Sequence, residues 1–95
     1  GGLSIDINAH EVTVDGEIVK LTATEYGIVE HLMKNLGRIL STDQIYEAVW
    51  GDTVIAGDKT VTVHIRRIRE KIEINPKEPK YLKVVWGIGY KIEKL

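Results

Sequence analysis

Arg66, Arg67 and Arg69, together with Lys59 and Lys71, crowd one short stretch of a 95-residue chain whose net charge is −1. Between Asp58 and Lys71 stand five basic and two acidic residues, a local charge of +3. Arginine's planar fork suits bidentate contact with phosphate and with guanine. Val63 sits among these cations, and a β-branched apolar residue there gains little from helix propensity. A major groove gives it a use, because thymine presents a methyl group. The plainer reading of any basic helical face is that it is merely solvated. Val63 and the excess of arginine over lysine argue for nucleic acid instead.

Other chemistry finds little to work with. His10, His31 and His64 are far apart, and His64 has no carboxylate three or four residues away. No H-x-x-x-H, no phosphate-cradling glycine loop and no paired carboxylates occur. The absence of cysteine excludes disulfides, thiolate metal sites and thiol catalysis. We therefore expect no enzyme, no cofactor or metal, and no small-molecule substrate. Missing signal-peptide and membrane-span patterns point to a cytoplasmic protein with no membrane partner. A pI near 6.3 makes any nucleic-acid footprint a local patch.

Val61, Ile65, Ile68 and Ile72 recur at i, i+4, i+7 and i+11, so Asp58 to Glu73 reads as a helix with one apolar stripe. Lys59, Val63, Arg66, Arg67 and Glu70 fall opposite it, with Asp58 available as a cap. Upstream, Leu3–Asp6 and Glu11–Val14 alternate like strands around a turn at Asn8–His10, where His10 reads as solvated. Asp15-Gly16 signals a hairpin, with Ile18 to Leu21 returning. Thr22-x-x-Glu25 and Ser41-x-x-Gln44 are capping boxes that start two further helices. The first is expected to bury Tyr26, Val29, Leu32, Met33 and Leu36 and to stop at Gly37. The second is expected to bury Ile45, Ala48 and Val49 and to close at Gly51 after Trp50. Gly27 is costly inside a helix unless a neighbour packs close. Pro76 and Pro79 end the basic helix region. Tyr81–Val85 and Tyr90–Glu93 then form a hairpin tipped by Trp86-Gly87-Ile88-Gly89.

The predicted fold is one α+β domain over residues 1–95: a small N-terminal antiparallel sheet, three helices and a C-terminal β-hairpin. A short helix, a basic helix and a hairpin in that order make a winged helix-turn-helix. Its expected core is Tyr26, Val29, Leu32, Met33, Ile45, Val49, Val61, Ile65, Ile68, Ile72, Tyr90 and Ile92.

The residues also resemble a known family, the C-terminal effector domain of OmpR/PhoB-type response regulators. The likeness covers Leu3 to Ile92. It is carried by Leu21-Thr22-x-Thr24-Glu25-Tyr26, Gly37-Arg38-Ile39-Leu40-Ser41 and Trp50-Gly51. It continues in Thr60-Val61-x-Val63-His64-Ile65-Arg66-Arg67-Ile68-Arg69-x-Lys71 and Gly87-x-Gly89-Tyr90. The resemblance implies sequence-specific binding of double-stranded DNA as the output domain of a two-component transcriptional regulator. Val63 and Arg67 match positions that meet base edges. Lys59, Thr60, His64, Arg66 and Arg69 match positions near phosphates or the groove rim, and Thr62 and Lys71 share that helix. Trp86 and Gly87 match the wing tip that reaches the minor groove. Asp52, Thr53, Val54, Ile55, Ala56 and Gly57 match a loop that contacts RNA polymerase. The resemblance further implies head-to-tail pairs on direct repeats, and an N-terminal receiver domain that this chain lacks.

Three departures from the family pattern stand out. Trp86 occupies a position where many members carry arginine, and Thr62 one where many carry an acidic residue. A strand usually precedes the one containing Leu3. The rival reading is a winged helix that serves as a protein-interaction module without its own sequence-specific DNA binding. Exposed Val54 and Ile55 and the acidic balance would suit it, and salt-dependent duplex binding separates the two.

Overall fold

The computed structural model describes residues 2–52 and 59–93. Strands β1 (Leu3–Asp6), β2 (Glu11–Val14) and β3 (Glu17–Val19) form an antiparallel sheet in that order. Leu3 pairs with Val14, and Val12 with Ile5 and Val19. The two-residue turn between β2 and β3 has positive φ at both Asp15 (51°) and Gly16 (84°), as a primed hairpin turn requires. β3 is shorter than the sequence suggested, ending at Val19. His10 is not simply a solvated turn residue. It takes φ 53° and stacks on Tyr26 with ring centroids 4.8 Å apart.

Helix α1 (Ala23–Met33) starts at a complete capping box: Thr22 Oγ1 accepts from Glu25 N–H, and Glu25 accepts from Thr22 N–H. Its buried residues are Glu25, Tyr26, Ile28, Val29 and Leu32. Ile28 therefore joins the core, while Met33 is only half-buried. Leu36 is exposed, since the helix has ended before it and residues 34–37 form a turn. Gly37, at φ 80°, closes that turn rather than the helix, and its N–H donates to Ile92 C=O. Helix α2 (Thr42–Trp50) repeats the capping box through Ser41 and Gln44 and ends at Gly51 in the left-handed conformation. Of the three residues assigned to its inner face, Ile45 is buried, Val49 half-buried and Ala48 exposed. Val49 packs close to Gly27, where an added Cβ would lie 3.3 Å from Val49 Cγ1. That close approach of α1 and α2 is the neighbour which justifies a glycine inside a helix.

Helix α3 (Thr60–Ile72) buries Val61, Ile65, Ile68 and Ile72. Its N-cap position is Lys59, without a side-chain cap bond, and Asp58 lies outside the described residues. β4 (Leu82–Val85) and β5 (Gly89–Ile92) form the terminal hairpin, with Leu82 opposite Ile92 and Val85 opposite Gly89. A bridge joins β5 to the segment before α2: Leu40 and Tyr90 exchange both backbone hydrogen bonds, at 2.8 and 2.9 Å. Gly89 lies so close to Leu40 that a Cβ would collide with its carbonyl oxygen. The core gathers Leu3 and Val12 of the sheet, the helix stripes, and Leu40, Tyr81, Leu82 and Ile92. Tyr90 and Val49 pack against it half-buried. The arrangement is an α+β winged helix, with α2 and α3 as the helix pair and β4–β5 as the wing.

Candidate nucleic-acid interface

The phase of α3 decides what the helix can offer to a partner. Ile65 is 1% exposed and Val63 is 45% exposed, so the basic arc faces away from the core. Thr62, Val63, Arg66, Arg67 and Glu70 are all exposed on that arc. Neither Arg66 nor Arg67 is engaged by an ion pair or hydrogen bond among the described residues. Lys59 is exposed at the head of the helix and Thr60 is half-buried beside it. Both stand at the N-terminal end of α3, where the helix dipole favours anions.

An aromatic stack fixes the first turns of α3 against α2. Tyr46 and Trp50 lie parallel with centroids 4.9 Å apart, and His64 meets Trp50 edge-on at 5.3 Å. His64 is half-buried, and its Nδ1 donates to Thr60 C=O at 2.8 Å. The ring is thereby held in one orientation.

Arg69 behaves differently from its neighbours. Its Nε and Nη2 both donate to Leu82 C=O, at 3.1 and 2.9 Å, and the guanidinium lies 5.7 Å from the Tyr90 ring centroid. The side chain expected near a phosphate joins α3 to the wing through these contacts, and it also lines the concavity between them. Lys71 is also committed internally. Its Nζ lies 2.6 Å from Glu25 Oε1, on a carboxylate only 2% exposed. Burial alone would raise the Glu25 pKa. The Lys71 ammonium and the Thr22 hydrogen bonds outweigh that effect and hold it below the usual carboxylate value.

A further anchor escapes the sequence reading altogether. Glu73 is 7% exposed, and its carboxylate accepts backbone N–H groups from Lys80, Tyr81 and Leu82 at 2.7 to 3.2 Å. This carboxylate ties the entry of the wing to the end of α3. Nothing in local spacing marks it, because the donors lie beyond two prolines.

The wing so fixed carries an exposed tip. Trp86 is 88% exposed and Ile88 60% exposed, with Gly87 between them at φ 77°. Ile88 N–H donates to Val85 C=O at 3.0 Å and closes the turn. Between α3 and the wing lies a concavity of about 1010 Å³, lined among others by Thr62, Val63, Arg66, Val84, Trp86 and Tyr90. The structure thus brings Val63, Arg66 and Trp86 to one surface and leaves Lys71 elsewhere. Of the loop assigned to polymerase, Asp52 is exposed, and Thr53, Val54, Ile55, Ala56 and Gly57 lie outside the described residues.

Residues 16–92 match the family described as transcriptional regulatory protein, C terminal. The chain is 43% identical over 94 residues to regulatory protein VanR of Enterococcus faecium, covering 98% of this chain and 41% of VanR. It is similar to the Klebsiella pneumoniae RstA DNA-binding domain, solved in complex with the RstA box. The TM-score is 0.90 with 31% identity, over 98% of this chain and 92% of that one. It also resembles DrrB, a Thermotoga maritima OmpR/PhoB homologue, with a TM-score of 0.88 and 33% identity over 99% of this chain and 42% of DrrB. The chain spans about two-fifths of the curated relatives it matches.

Proposed function

The chain belongs to the C-terminal domain family of OmpR/PhoB-type transcriptional regulators, and from that premise we propose that it reads duplex DNA with α3 in the major groove. Its function is that of a DNA-binding output domain in a two-component system. In the proposed arrangement, Val63 and Arg67 meet base edges, with Thr62 beside them. Lys59, Thr60, His64 and Arg66 meet phosphates or the groove rim. The wing tip at Trp86 and Gly87 approaches the neighbouring minor groove. Arg69 and Lys71 contribute by holding the wing and α1 in place.

The observation that carries this reading is the division of the cations on α3. Arg66 and Arg67 stand exposed on the outer arc, while Arg69 and Lys71 are bound internally. A merely solvated helix would have no reason to present an exposed valine one turn before two outward arginines. RstA's complex with its box supports the same use of the fold.

Partners beyond DNA follow the family likeness. The full protein carries an N-terminal receiver domain, works in the cytoplasm, binds direct repeats head-to-tail, and contacts RNA polymerase through Asp52 to Gly57. The test is titration of an operator, selected from random DNA, and of a scrambled duplex at several salt concentrations. Arg67→Ala should weaken operator binding and flatten preference at one base pair, a loss of roughly 1–3 kcal/mol. Lys59→Ala should weaken both duplexes alike and lower the salt slope by about one unit. A domain with no salt-dependent duplex binding would be a protein-interaction module instead.

A further inference from the structure

The wing tip differs in kind from the rest of the surface that faces DNA. Trp86-Gly87-Ile88-Gly89 carries no charge, and its two large side chains are 88% and 60% exposed. A tip without a cation releases no counterion and gains nothing from the narrow, strongly negative groove of an A-tract. An indole and a branched aliphatic chain have other uses in a minor groove. They can press between base pairs and partly unstack them. Such a wedge needs a braced support, and this one is braced. Arg69 clamps Leu82 C=O, Leu40 pairs with Tyr90, Gly89 abuts Leu40, and Ile88 N–H closes the turn on Val85. Trp86 also shares the concavity that Val63 and Arg66 line, so the tip is continuous with the α3 surface.

We propose that Trp86, backed by Ile88, is an apolar wedge that selects the DNA step under the wing by its deformability, favouring flexible pyrimidine–purine steps over A-tracts. The inference rests on the proposed function and adds a second source of specificity outside the base pairs beneath α3. It also sets the direction of the salt effect. The contribution of Trp86 is independent of ionic strength, unlike those of Lys59 and Arg66.

The experiment uses this 95-residue chain and single-site operator duplexes that differ only at the wing-proximal step. The steps compared are TpA, CpA and ApA, with a fluorescent adenine analogue at that step to report unstacking. The wild-type domain should bind TpA and CpA duplexes several-fold more tightly than ApA and raise the analogue's fluorescence. Trp86→Ala should lose affinity about tenfold on the flexible steps, as expected for loss of one aromatic stack, and should erase the fluorescence rise. Its salt slope should be unchanged. Trp86→Arg should raise the salt slope by about 0.9 and move the preference toward ApA. At 88% exposure neither substitution threatens the fold, and thermal melts verify this.

Equal loss on all three steps without a fluorescence change overturns the wedge and leaves a plain sugar contact. Loss seen only on two-site DNA overturns it in favour of contact with a second copy. If the wild-type domain binds no duplex, the proposed function fails and the wedge with it. If it binds normally but ignores the wing-proximal step, the wedge alone fails.

Discussion

Arg69→Ala separates a structural arginine from a DNA-binding one, and the structure gives the size of the effect. Removing the side chain deletes two hydrogen bonds onto Leu82 C=O, at 2.9 and 3.1 Å, and a guanidinium 5.7 Å from the Tyr90 ring. Bonds from a charged donor contribute about 1.5–3 kcal/mol, and a partly exposed cation–π contact about 0.5–1. The two donors share one carbonyl oxygen, so their contributions overlap, and the total should be roughly 2–3 kcal/mol. For a domain of this size each kcal/mol lowers Tm by about 4–8 °C, so Tm should fall by at least about 8 °C. Thermal and urea unfolding measure this directly. Arg66→Ala, on the exposed arc, should shift stability by less than about 0.5 kcal/mol. The DNA titration should show the opposite pattern, with the salt slope reduced for Arg66→Ala and unchanged for Arg69→Ala. Arg69→Lys sharpens the comparison. It keeps the charge but cannot reproduce the fork, so it should restore little stability. The reasoning is refuted if Arg69→Ala leaves Tm within about 2 °C and lowers the salt slope by one unit.

Three further outcomes are expected, the first two from contacts in the structure and the third from the family likeness. Glu73→Ala strands the buried N–H groups of Tyr81 and Leu82 and leaves that of Lys80, in a part-buried place, without its acceptor. At about 1–3 kcal/mol for an unmet buried donor, it should destabilise by roughly 3 kcal/mol or more. Hydrogen exchange at those three amides should accelerate first, and unchanged protection would count against the anchor. Glu25 has a folded pKa below its ordinary 4.5, so its contribution is present above that value and is lost as pH falls through the folded pKa. Lys71→Met removes the partner but leaves the burial, so the acid-unfolding midpoint should move to higher pH, as circular dichroism against pH would show. Substituting Val54 and Ile55 together should leave operator affinity intact and reduce activated transcription. An equal fall in both would remove the loop from the polymerase contact.

Features set by short-range rules were readable from the residues. The period of α3, both capping boxes and the Asp15-Gly16 turn depend on neighbours within about a helical turn, and the structure contains each of them. Long-range partners were not readable. The Lys71–Glu25 pair spans 46 residues, and Arg69 reaches its acceptor 13 residues ahead. Both look from the sequence like free cations on a basic helix, and only the packing of α3 on α1 and the wing shows otherwise. The first helix was harder to phase for a related reason. It packs against α2, α3 and β5 together, so Ile28 is buried on a side that a single stripe does not include. Leu36 keeps the helical spacing, but the helix has stopped by then.

The internal use of Arg69 and Lys71 changes the electrostatics expected of the domain. Five cations crowd the α3 segment in sequence, but only Lys59, Arg66 and Arg67 remain outward and unengaged among the described residues. At about 0.9 per neutralised phosphate, α3 can contribute no more than about 2.7 to the magnitude of the salt slope. Arg67 lowers that figure further if it is spent on a base. On a chain of net charge −1, such a patch attracts arbitrary DNA weakly. In the proposed arrangement, occupancy of an operator comes from base contacts at Val63 and Arg67, from the apolar wing tip, and from a second copy on an adjacent repeat. Two linked sites multiply weak single-site affinities. A domain that works in this proposed way is nearly silent on random sequence as one copy and selective as two. That balance would be lost if Arg69 and Lys71 were freed to face phosphates.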